Sequence, residues 1–156
     1  MSSEANTIFT ALCERLERAS RALRERGCFL QSIARRYYVI HATATYLAAK
    51  FGVVPARNRE GERVEDERFS HNELPDVVGV LYTGLRRGGI DPGTHAGIVG
   101  AALHKREAER YVDALQRDRK HADYGRIRDV EPYRAAEADR RLRWADDVIS
   151  DLRLLL

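Results

Sequence analysis

The sequence predicts an all-α fold, an antiparallel bundle of about five helices, and three observations lead there. Apolar residues recur at three- and four-residue steps along five segments, the spacing that keeps side chains on one side of a helix. Turn formers stand between segments: Gly27, Gly52 with Pro55, and the group Gly88, Gly89, Pro92 and Gly93. No run of any length alternates apolar and polar residues as a half-buried strand would.

In the first helix, Phe9, Leu12, Leu16, Ala19 and Leu23 step through a charged background. This predicts a helix from about Asn6 to Arg26, stopped by Gly27. A second helix, from about Leu30 to Phe51, carries Ile33, Tyr37, Ile40, Ala44, Leu47 and Phe51 and ends at Gly52. Residues 53–68 have alternating charges and no periodic apolar face, the pattern of a flexible loop inside one domain. Ser70 with Glu73 forms a capping box for a third helix whose inner face is Leu74, Val77, Val78, Leu81 and Leu85. Thr94 opens a fourth, with Ile98, Ala101, Ala108, Tyr111 and Leu115 apolar, after which residues 117–130 are polar and read as an exposed loop. Pro132 suits a helix first turn, and Leu142, Ala145, Ile149, Leu152 and Leu156 make a fifth helix.

At 156 residues the chain has the size of one ordinary domain, and one core is expected over residues 1–156. A hydrophobic fraction of 44% beside 33% charged residues suits amphipathic helices with one solvated face. Cys13 and Cys28 are too few for a disulfide framework, and a reducing cytoplasm is the expected compartment. Met1 to Ala5 lacks the basic start and apolar stretch of a secretion signal, and no apolar run is long enough to span a bilayer, so no membrane role is expected. The net charge is only +3, but arginine greatly outnumbers lysine, and its planar fork binds phosphate bidentately. An RNA partner is compatible with this; so is a solvated face of alternating charges.

The most informative stretch is Arg35-Arg36-Tyr37-Tyr38-Val39-Ile40-His41-Ala42, which sets two guanidiniums and an imidazole in an apolar helix pattern. Five residues advance the helix by roughly 140° and roughly 7.5 Å, so Arg36 and His41 point to different sides. Two copies of the helix packed across a twofold axis would bring them together, which predicts a homodimer with a composite site.

Residues 32–42 resemble the signature helix of the HEPN family, small helical bundles that include many metal-independent ribonucleases. The ribonuclease motif of that family is an Arg, four to six residues, then a His. Arg36 meets it at a spacing of four and Arg35 at five. Phe69-Ser70-His71 and the string Arg119-Lys120-His121-Ala122-Asp123-Tyr124-Gly125 resemble later elements of the same family, so the likeness spans roughly residues 8–153. Many relatives read Tyr-Tyr-Ala-x-Phe-His, whereas His41 lies one residue closer to the Tyr pair, a shift of roughly 100° around the helix.

The resemblance implies a HEPN-like endoribonuclease, a toxin or defence effector. His41 would move a proton between a ribose 2′-hydroxyl and a leaving 5′-oxygen, and Arg36 would offset the charge on the phosphorane, leaving a 2′,3′-cyclic phosphate without metal or cofactor. Arg35 reads either as the true motif arginine or as an ion-paired surface residue. The alternative function is a non-catalytic module that docks a nucleotidyltransferase-type antitoxin, another defence partner or a nucleotide.

Arg117, Arg119, Lys120, Tyr124 and Arg126 combine cations with a ring and read either as an RNA-backbone track or as a solvated loop tethered by Asp123. Tyr37 and Tyr38 read as core and interface residues, and His71 as a capping or exposed residue. His95 and His104 lack a carboxylate at a helical step, so no metal site is expected.

Overall fold

A computed structural model describes residues 3–53, 69, 71–93, 103–125 and 134–156. Among them are five helices and no strand: α1 (Ser3–Glu25), α2 (Phe29–Phe51), α3 (Leu74–Arg87), α4 (Leu103–Tyr124) and α5 (Ala135–Arg153). The all-α bundle expected from the apolar periodicity is present. No helix among the described residues is long and apolar enough to cross a membrane.

Side-chain pairs set the directions. Tyr46 reaches Asn6, Cys13 meets Thr43, and Ser20 meets Ser32, so α1 and α2 are antiparallel. Asp118 faces Arg141 while Tyr111 stacks on Trp144, so α4 and α5 are antiparallel as well. Arg36 pairs with Asp146 and Lys50 with the carbonyls of Leu155 and Leu156, which runs α2 parallel to α5.

α2 is the central helix and packs on all four others. Its Ile33, Tyr37, Val39, Ile40, Ala44 and Leu47 have no exposed surface, each large apolar side chain worth about 1.5–3 kcal/mol of burial. Val77, Val78 and Leu81 of α3, Val112 and Leu115 of α4, and Val148, Ile149 and Leu152 of α5 close the same cluster. Gly52 ends α2 in the left-handed region at φ 67°, where its N–H returns to the carbonyls of Ala48 and Ala49.

Two elements differ from expectation. α3 begins at Leu74, with residues 71–73 forming a turn and no side-chain cap at Glu73. Pro75, whose missing N–H suits a first turn, stands in the first turn of the helix, and the Ser70 half of the expected capping box lies outside the described residues. The segment from Arg117 to Tyr124 is not a loop but the second half of α4. Its inward face is polar, with Gln116, Asp118 and Arg119 buried, so it shows no apolar period. In α1, Cys13 and Ser20 are buried and Phe9 and Leu16 half-buried, with the helix packed against α2. Ser70, Thr94, His95, Ile98, Ala101, Arg126 and Pro132, and most of the expected 53–68 loop, lie outside the described residues.

Candidate functional site

On α2, Tyr37, Tyr38 and His41 stand at positions i, i+1 and i+4 and so share one flank of the helix. That flank meets the turn ahead of α3 and the last two turns of α4. His41 Nε2 lies 3.3 Å from the carbonyl oxygen of Phe69. A carbonyl only accepts, so Nε2 carries the proton and Nδ1 the lone pair. The His71 ring stands against His41 with centroids 4.6 Å apart. Its Nδ1 is 2.9 Å from the Tyr37 hydroxyl.

Both imidazoles are held in the neutral form. Burial pushes His41 below the ordinary histidine range, with the Phe69 carbonyl opposing and the Arg119 charge adding to the shift. His71 is pushed down to about 4 by burial, then by His41 and Arg119, while Asp123 pulls the other way. Burial also raises the Tyr37 hydroxyl, which therefore stays protonated and donates to His71.

The C-terminal turns of α4 supply the rest. Arg119 is buried with 4% of its surface exposed, and its guanidinium lies 5.8 Å from the ring centroids of both Tyr37 and Tyr124. Asp123 accepts a 2.7 Å hydrogen bond from the Tyr38 hydroxyl and sits 3.6 Å from Arg119 Nη1. Tyr124 is 78% exposed at the rim. Gly125 follows the last residue of α4 at a position where a Cβ would run into the carbonyl oxygen of His121.

Three sequence segments thus converge: Tyr37, Tyr38 and His41 from α2, Phe69 and His71 ahead of α3, and Arg119, Asp123 and Tyr124 from α4. Arg36 is elsewhere. It reaches toward α1 and α5, where Nη1 pairs with Asp146 at 2.6 Å and Nε donates to Ser20 Oγ at 3.4 Å. Arg35 is exposed on α2. Of the basic group, Lys120 is exposed and Arg117 pairs with Asp113 on the surface, so neither is sequestered with Arg119.

His71 is the residue that sequence reasoning undervalued. Its partners Tyr37 and His41 are 34 and 30 positions away, and no local spacing reports such a contact; the only signal was its place in Phe69-Ser70-His71. A separate cleft of about 310 Å³ between α3, α4 and α5 is lined by Tyr82, Glu107, Tyr111, Asp147 and Asp151 and holds none of the histidines. No family model matches this chain, and no curated protein or solved structure matches it either.

Proposed function

We propose that this protein cleaves RNA without a metal ion, with His41 as the proton-transfer group. The observation that carries the reading is the neutral His41 ring, fixed through Nε2 with its basic Nδ1 available, among a second imidazole and a buried guanidinium. A neutral imidazole is the form that accepts a proton from a ribose 2′-hydroxyl. The 2′-oxygen then bonds to the adjacent phosphorus, the phosphorus to 5′-oxygen bond breaks, and the same ring returns the proton to the departing oxygen. The products are a 2′,3′-cyclic phosphate and a free 5′-hydroxyl.

Within one protomer the cation beside His41 among the described residues is Arg119, and Arg36 is paired with Asp146. The composite twofold site expected from the sequence needs an arginine free to cross an interface. Arg35, exposed on the same helix, meets that need better than Arg36, whose side chain is 12% exposed. The apolar stripe of α2 is covered by its own bundle, so a homodimer rests on the motif geometry rather than on uncovered surface.

The second reading is a non-catalytic module for a nucleotidyltransferase-type antitoxin or a nucleotide. It is favoured by the separation of Arg36 from His41. Incubating the protein with varied RNAs in EDTA tests both: cleavage that is lost in His41→Ala with helical circular dichroism intact supports the ribonuclease. Inert wild type, with His41→Ala folded but unable to hold a protein partner, supports the module.

A further inference from the structure

We propose that the Arg119 guanidinium is a phosphate receptor that the protein keeps plugged with its own Asp123, a single-stranded RNA phosphodiester entering by displacing that carboxylate. The proposal rests on the ribonuclease reading for the identity of the polymer, but not for the binding chemistry.

A guanidinium taken out of water needs close, well-directed partners. Arg119 lacks them. Its contact to Asp123 is 3.6 Å, well beyond the 2.7–2.9 Å of a charge-assisted hydrogen bond. Its Nε is buried and has no hydrogen-bond partner among the described residues. Asp123 is meanwhile held at 2.7 Å by Tyr38, which keeps the carboxylate near the guanidinium without letting it dock as a fork. The site is therefore a deeply set cation with a spare Nε donor and an anion seated on Tyr38 rather than docked on the guanidinium.

The plug is on the accessible side. The Asp123 side chain keeps 27% of its surface exposed, against 5% for that of Arg119, so moving Asp123 aside opens the way to the guanidinium. A phosphodiester offers two non-bridging oxygens with the spacing that a guanidinium fork accepts. Exposed Lys120 adds a second positive charge at the mouth, and its charge is felt at His71 together with that of Arg119. The exposed Tyr124 ring beside Arg119 is a platform for a stacked base. The carbonyl end of α4 opposes an anion here, so affinity depends on these side chains.

The test uses the full-length chain and two probes that cannot be cleaved: inorganic phosphate and a short 2′-deoxy-oligonucleotide, titrated calorimetrically. Asp123→Asn retains an acceptor for Tyr38 but removes the competing charge, and should tighten both probes about tenfold. Arg119→Lys keeps a charge without the fork and should weaken both by a similar factor, while Tyr124→Ala should weaken only the oligonucleotide. Unchanged or weaker binding in Asp123→Asn overturns the plug, even if Arg119→Lys folds poorly. Protein that cleaves RNA yet ignores Asp123→Asn loses this inference and keeps the ribonuclease. Protein that binds with these responses and cleaves nothing keeps the receptor and loses the ribonuclease.

Discussion

The Tyr38 hydroxyl donates to the Asp123 carboxylate at 2.7 Å, tying the middle of α2 to the last turn of α4. Through it, the aromatic pair of one sequence motif positions the acid of another 85 residues away. Tyr38→Phe removes the donor and leaves the ring in place. We expect a stability loss of about 1 kcal/mol in urea denaturation, because Asp123 stays solvated at the rim. A loss several times larger would mean that the bond organises the bundle rather than the site.

The Tyr37 hydroxyl is deeper, in a side chain with no exposed surface. Tyr37→Phe strips His71 of its partner within hydrogen-bond reach and should cost about 1–3 kcal/mol. The His71 ring resonances should titrate nearer the ordinary value once the ring is freed to reach solvent. An unmoved titration by NMR would contradict the role given to Tyr37.

The depressed histidines give stability a definite pH dependence. His71 has a folded pKa of about 4, below its unfolded value, which is about 6.5. Above the unfolded value both states are neutral and stability is complete. As pH falls through the window from about 6.5 to about 4, the unfolded chain binds a proton that the folded chain refuses, so stability declines. His41, lowered by the same cause, acts in the same direction. Urea midpoints across this range should fall with acid, and His71→Gln should flatten the slope; parallel slopes for the two proteins would exclude His71 as a source.

Arg36→Ala breaks the 2.6 Å pair with Asp146. Since Asp146 is half exposed, the cost should be about 1 kcal/mol. If the site is complete within one protomer, the cleavage rate should stay within a few-fold of wild type and scale linearly with protein concentration. A loss of about 10²–10⁴ in a folded variant would instead return Arg36 to the chemistry and require a second copy.

The bundle was legible wherever the buried face was apolar. Ile33, Ile40, Ala44 and Leu47 mark α2 by period alone, and all are buried. The end of α4 was illegible for the opposite reason. Gln116, Asp118 and Arg119 face inward, where they meet Asn72, Arg141 and Asp123, so hydropathy showed a polar stretch where there is a packed helix. The site was half legible. His41, Arg119 and Tyr124 were singled out by type and spacing, but the His41–His71 contact and the Tyr38–Asp123 bond are products of tertiary packing. The different directions of Arg36 and His41 followed from helix geometry; the Asp146 partner of Arg36 did not.

The most direct measurement is cleavage of single-stranded RNA by the purified protein in EDTA, with products analysed for a 2′,3′-cyclic phosphate. Wild type should form this product, and His41→Ala, with its helical circular dichroism intact, should be slower by about 10²–10⁴. A folded His41→Ala protein that cleaves at the wild-type rate would contradict the role given to His41.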